Sequence, residues 1–135
     1  MKSFNFRCDV SEPVDPRRLV GDQGERSAER YLQRLGMRIL ERGYRFRGGE
    51  IDLVARDGAE LVFVEVKTRT SRDFGDPSEA VTARKRRRII HAASCYLKAH
   101  GAWQHPCRFD VVSVHLETNG QVLVEHLRDA FRAEG

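Results

Sequence analysis

Apolar and polar positions alternate along this chain with two different periods. Ala28, Tyr31, Leu32 and Leu35 recur at helical spacing. Asp22-Gln23-Gly24-Glu25, just ahead of them, has the spacing of a helix N-cap followed by a capping-box acid, and Gly36 stands where such a helix ends. A helix is therefore predicted from this cap to about Leu35. Met37 to Phe46 fits a strand, with Gly43 marking a bulge. Gly48-Gly49 then turns the chain into two apolar, β-branched runs that flank Asp57-Gly58. An Asp-Gly pair between such runs predicts a β-hairpin.

Ser71 to Val81 contains Gly75 and Pro77 and no helical stripe, so a loop is expected there. Ile89, Ile90, Ala93, Tyr96 and Leu97 predict a second helix over about Ala83 to His100, capped by Thr82 and followed by Gly101. Arg108 to Leu116 and Val122 to Leu127 form a second strand pair around Asn119-Gly120. Pro13, Pro16 and the lack of any sustained period mark residues 1–20 as a loose arm. Residues 21–128 are expected to form one domain, and 129–135 a short tail.

The polar content of the central hairpin changes the picture. Asp52, Glu65 and Lys67 interrupt runs that otherwise look buried, and charges in a sheet core are costly unless paired or bound to metal. Strand alternation puts Phe63, Glu65 and Lys67 on one face. A two-residue loop at Asp57-Gly58 sets Asp52 opposite Phe63 and diagonal to Glu65. A four-residue loop sets Asp52 directly opposite Glu65. Both registers bring the carboxylates to one face, whereas an unbulged three-residue loop would separate them. Two close carboxylates repel unless a cation lies between them. A hard divalent ion takes one or two carboxylates and fills its shell with water and phosphate oxygens, and a nearby Lys can orient the attacking water. The competing reading is a solvent-facing salt-bridge cluster. Glu25 is either a helix cap or a third carboxylate aimed at the hairpin, with Glu29 as its rival one turn on. Glu79 is a further acid in a loop, expected to be solvated.

Composition narrows the class. With 135 residues, 40% hydrophobic and 33% charged, the chain suits one globular domain. No apolar run approaches the roughly 20 residues that span a bilayer, and the N-terminus lacks an apolar signal-peptide core. Cys8, Cys95 and Cys107 are odd in number and form no CxxC, so neither a zinc site nor a disulfide framework is indicated. A reducing cytoplasm is the expected location. The net charge is only +4, but Arg84-Lys85-Arg86-Arg87-Arg88 is an unbroken basic run. It falls in the first turns of the second helix, where the helix end itself favours anions, so phosphate is the expected partner over a plain solvated face.

The blocks Gly21-Asp22-Gln23-Gly24-Glu25, Gly49-Glu50-Ile51-Asp52-Leu53-Val54, Phe63-Val64-Glu65-Val66-Lys67-Thr68-Arg69, Lys85-Arg86-Arg87-Arg88 and Arg108-Phe109-Asp110-Val111-Val112 stand in that order. Together they resemble the YraN-like family of small bacterial proteins, within the PD-(D/E)XK nuclease superfamily and related to archaeal Holliday-junction resolvases. The resemblance covers about residues 19–115. It implies an α/β (α+β) fold with a restriction-endonuclease-like αβββαβ core, a mixed sheet flanked by helices. It further implies that Asp52 and Glu65, with the Val66 carbonyl, bind Mg²⁺ or Mn²⁺. Lys67 would orient the water and stabilise the transition state, and Glu25 matches the helix-one acid of the resolvases. Arg69 and Lys85 would contact phosphates. Ile51 replaces the motif's proline, a position that is not a ligand.

Three readings follow. The first is a metal-dependent DNA endonuclease, acting on branched or damaged DNA. The second is a non-catalytic nucleic-acid-binding accessory protein using the same basic face. The weakest is a protein-interaction module whose basic run meets an acidic partner. A like-charged pair has no use in a binding-only module, which favours the first. Resolving a symmetric junction would also require a homodimer.

Overall fold

The structure is a computed structural model that describes residues 16–70 and 81–133. Phe4, Phe6, Cys8, Glu79 and residues 71–80 of the loop predicted over Ser71 to Val81 lie outside the described residues. The element order is α1 (Pro16–Arg34), β1 (Arg38–Phe46), β2 (Gly49–Asp57), β3 (Glu60–Thr70), α2 (Ala83–Ala99), β4 (Cys107–Leu116) and β5 (Val122–Phe131). The strands form one sheet in the order β1-β2-β3-β4-β5. Only β3 and β4 run parallel, with α2 as their crossover, and the other pairs are antiparallel. The fold is thus α+β, with the expected αβββαβ order followed by one more strand. No helix among the described residues is long and apolar enough to cross a membrane.

Each helix covers one face of the sheet. Ala28 and Leu32 of α1 pack on Leu53, Val62, Val64 and Val112. Ile89, Ala92 and Tyr96 of α2 pack on Ile51, Phe63 and Val111. Helix α2 matches its sequence signals closely. The Thr82 side chain accepts a hydrogen bond from the Lys85 N–H at 3.2 Å, capping the helix, and Gly101 (φ +62°) follows its end. Gly36 (φ +94°) terminates α1 as expected.

Three boundaries depart from expectation. Helix α1 begins at Pro16, not behind Asp22. Proline is well suited to a first helical turn, where its missing N–H has no partner to lose. Asp22 and Gly24 are therefore interior helical residues, and the capping-box spacing is incidental. Glycine inside a helix costs about 1 kcal/mol relative to alanine, but Gly24 lets α1 approach β3. A Cβ there would lie 1.8 Å from Thr68 Oγ1 and 2.8 Å from Thr68 Cβ. Gly24→Ala is expected to lift α1 off the sheet, cost about 1–3 kcal/mol and lower the midpoint of urea unfolding. A midpoint equal to that of the wild type would overturn this account of the contact. At the other end, residues 129–131 belong to β5, not to a tail. Phe131 is buried and stacks on Phe109 with ring centroids 4.9 Å apart. Finally, the register of β1 on β2 shifts between Ile39 and Glu41, not at Gly43.

Candidate functional site

The hairpin delivers the acids. Its turn pairs Asp57 with Glu60, so the loop is Gly58-Ala59, one position later than the Asp-Gly signal suggests. Gly58 takes φ +63° there. The ladder runs back to Leu53 opposite Val64, and its extension sets Asp52 opposite Glu65. This is the register of the four-residue reading.

At Asp52 the facial alternation of β2 breaks. Leu53 and Ala55 face α1, while Ile51 and Val54 both face α2, although they stand three positions apart and regular alternation would put them on opposite faces. Across from Asp52, between the pairs Arg42–Leu53 and Tyr44–Ile51, stands Gly43 with φ +60°. The left-handed backbone at Gly43 and the break in alternation at Asp52 therefore fall at the same level of the sheet. The Asp52 carboxylate accepts a hydrogen bond from the Val66 N–H at 2.8 Å, which takes the place of the next ladder bond. It also meets the carboxyl of Glu65.

This placement has an electrostatic cost. Burial, followed by the charge of Glu65, pushes the Asp52 carboxyl from 3.8 up to about 7, although the Val66 N–H opposes the shift. Burial also raises Glu25 of α1 to about 7, helped by the charges of Asp52, Asp22 and Glu50. Glu29, the rival acid, is engaged elsewhere. It is held by both Nε and Nη2 of Arg42, at 2.7 and 2.5 Å, and that bond keeps its carboxyl low. Of the two α1 acids, Glu25 is the one whose carboxyl feels the charge of Asp52.

The opposing charge comes from α2. Glu65 is only 5% exposed, and Lys85 Nζ lies 2.5 Å from its Oε2. Arg88 donates from Nε to the Gly48 carbonyl at 3.2 Å. Helix α2 can come this close because residue 49 is glycine: a Cβ there would sit 2.4 Å from the Arg88 carbonyl oxygen. A cavity of about 160 Å³ opens between the elements, lined by Glu50, Asp52, Glu65, Lys85, Arg88 and Ile89. Lys67 lies on the same strand face as Glu65, half-buried, and its register partner on β4 is Ser113. The Ser113 hydroxyl is buried and has no hydrogen-bond partner among the described residues. Arg69 continues this face and is 5% exposed.

The basic run does not act as one patch. Lys85 and Arg88 face the acids. Arg86 points away, donating to the Val81 carbonyl at 3.3 Å and lying 5.5 Å from the centre of the Phe131 ring. Arg87 is exposed and shares a second cavity with Arg86 and Phe131. One helical turn explains the split, since neighbours in sequence point about 100° apart.

Sequence reasoning missed Glu50 and Gly49 as parts of the site. Glu50 adjoins Asp52 in the sequence Gly49-Glu50-Ile51-Asp52, and a cluster of acids beside a glycine pair was its only signal. Among the described residues, no group of three or more His, Cys, Asp or Glu is gathered so as to hold a metal ion by itself. The donor set is instead two carboxylates forced together in a small, partly polar cavity. That suits a hard divalent ion, which needs few protein ligands and keeps its waters.

Comparison with known proteins agrees with the motif blocks. Residues 24–114 match the family described as Uncharacterised protein family UPF0102. The UPF0102 protein of Symbiobacterium thermophilum is 51% identical over 116 residues, covering 86% of this chain and 98% of its own length. That of Chlorobium phaeobacteroides strain DSM 266 is 46% identical over 121 residues, covering 86% of this chain and 95% of its own. Among solved structures, the chain is similar to Pyrococcus furiosus SfsA in complex with Ca²⁺. That match has 18% identity and a TM-score of 0.40, over 81% of this chain and 62% of that one. On the extent of the family match and the identity of these relatives, the chain belongs to the UPF0102 family.

Proposed function

We propose that this protein is a metal-dependent DNA endonuclease that hydrolyses phosphodiester bonds, with branched or damaged DNA as the substrate class. The observation that carries the reading is the Asp52–Glu65 pair. The fold drives two acids into contact, raises the proton affinity of one of them and faces them with cations from α2. A binding surface for DNA gains nothing from buried negative charge, which repels phosphate. A site for a divalent ion requires it.

Asp52 and Glu65, with the Val66 carbonyl, would hold Mg²⁺ or Mn²⁺. When bound, the ion polarises a phosphate oxygen and lowers the pKa of water. The chain's own groups do the remaining work. Lys67 orients the water that attacks phosphorus and offsets charge on the phosphate oxygens. Glu25, with its raised proton affinity, would accept a proton from that water. The P–O bond to the leaving group breaks as the new P–O bond forms. Arg88, Arg87 and Arg69 supply positive charge along the approach of the strand. Arg86 joins this set as an exposed cation, although it also lies 5.5 Å from the centre of the Phe131 ring.

The test is cleavage of labelled duplex, flap and four-way-junction DNA with Mg²⁺ or Mn²⁺, wild type beside Lys67→Ala. Metal-dependent cutting by the wild type alone is the expected result, and the best-cut structure identifies the substrate. Binding of all three DNAs with no cutting would overturn the enzyme reading and leave the accessory role. A junction offers two symmetric strands and each chain has one such site, so cutting both strands of a junction would also require a second copy.

A further inference from the structure

Glu65 and Lys85 form an unequal pair. The acid's side chain is 6% exposed and the lysine's is 43% exposed. Glu65 sits in the middle of β3, between two paired strands, so it cannot leave. Lys85 has a fixed backbone, capped through its N–H by Thr82 Oγ1 at 3.2 Å, and a long stem that ends at the cavity. Its head can move while its root cannot. Arg88, the other cation lining the cavity, is tied by its Nε to the Gly48 carbonyl. The cavity of about 160 Å³ has room for an ion with several waters.

We propose that Lys85 is the site's resident counter-cation, which a divalent ion displaces from Glu65 and which then takes a phosphate oxygen of the substrate. This rests on the metal-site reading above and adds an exchange to it. A divalent ion on Glu65 brings a second positive charge within a few ångströms of the Lys85 ammonium, and like charges at that distance repel strongly in a partly buried site. The displaced ammonium, on a side chain already 43% exposed, would turn toward solvent, from which a phosphodiester would enter. Metal loading and substrate capture are thereby coupled through one side chain. The coupling is reciprocal: phosphate that draws Lys85 away must raise metal affinity by the same factor.

The experiment is calorimetric titration of Mn²⁺ into the wild type, Lys85→Met, Lys85→Arg and Glu65→Gln, each first shown to melt cooperatively. Lys85→Met is expected to bind Mn²⁺ about tenfold more tightly than the wild type, the scale of one lost competing ion pair. Lys85→Arg keeps the charge and should show no gain, which separates displacement from a general loosening of the site. Titration of a short duplex in Ca²⁺ should show tighter binding than in EDTA for the wild type, and a much smaller gain for Lys85→Met. If Lys85→Met binds Mn²⁺ no tighter than the wild type while Glu65→Gln abolishes binding, the metal site stands and the exchange is wrong. If neither the wild type nor Lys85→Met takes up Mn²⁺, the metal-site reading fails and the exchange fails with it.

Discussion

Asp52→Asn is expected to abolish metal-dependent cleavage and, at the same time, to raise the melting temperature of the metal-free protein above pH 7. The first effect should be on the order of 10³-fold in rate, because the ion's stabilisation of developing charge is worth several kcal/mol. The second follows from linkage. The Asp52 carboxyl is raised from 3.8 to about 7 in the folded chain, by burial first and then by the Glu65 charge. Below about pH 4 the group is protonated whether the chain is folded or not, and no penalty arises. Between about pH 4 and 7 the unfolded chain releases the proton while the folded chain retains it, so stability falls as pH rises. Above 7 both are ionised and the full penalty is present.

Glu25, also raised to about 7, acts in the same direction. Asp52 is partly exposed, so solvent screening holds its share to on the order of 1–2 kcal/mol. Melting curves across pH 4–8 should therefore slope downward for the wild type and much less for Asp52→Asn. A variant that melts lower than the wild type at pH 8 would show that the carboxylate supports the fold, against the clash described here.

The second large effect lies away from the site. Asp110→Ala should cost about 3–5 kcal/mol, the scale of breaking a buried ion pair from one side. Asp110 is 0% exposed. Its oxygens accept from Arg108 Nε at 3.0 Å, His126 Nε2 at 2.7 Å and the Asp129 N–H at 3.0 Å. Burial alone would raise this carboxyl, but those donors outweigh it and hold it low. The chain of bonds continues on both sides. His126 Nδ1 meets the Tyr31 hydroxyl at 3.1 Å, and Arg108 Nη1 reaches Glu60 and Asp57 at 2.9 and 3.0 Å.

With Nε2 donating to a carboxylate, a neutral His126 is left to accept at Nδ1 from the tyrosine. Alanine at 110 would orphan donors from β4, from β5 and from the bend at Asp129 (φ 53°). A domain of this size has only about 5–15 kcal/mol of stability, so chemical denaturation should show a transition shifted close to zero denaturant. A loss under about 1 kcal/mol would mean that Glu60 and Asp57 suffice for Arg108.

Much of this arrangement was legible in the sequence. Strand alternation assigned Glu65, Lys67 and Phe63 to one face, and Phe63 does line the α2 core. The hairpin register was narrowed but not settled, for a physical reason. The two registers that were open differ by two residues in pairing, and a shift of two leaves every apolar side chain on the same face. Hydrophobic pattern cannot choose between them, and only the turn geometry at Gly58-Ala59 does so. The start of α1 was hidden because Pro16-Arg17-Arg18 carries no apolar stripe. The basic run looked like one surface because a linear string hides helical phase, which sends Lys85 to the acids and Arg86 to Phe131. The Asp110 network joins α1, β2, β3, β4 and β5 side by side, and no spacing within one segment announces it.

The strand order has one more consequence, for how the chain comes together. Every strand lies beside its predecessor in sequence, and β1, β2 and β3 are joined by tight turns. Closing short loops loses little chain entropy and is fast, while distant pairings wait. Asp52 and Glu65 belong to the nearby kind of pairing. Lys85 arrives only with the long crossover that sets β4 against β3. The two acids are thus expected to meet early in a local meander, and the cation that balances them to follow.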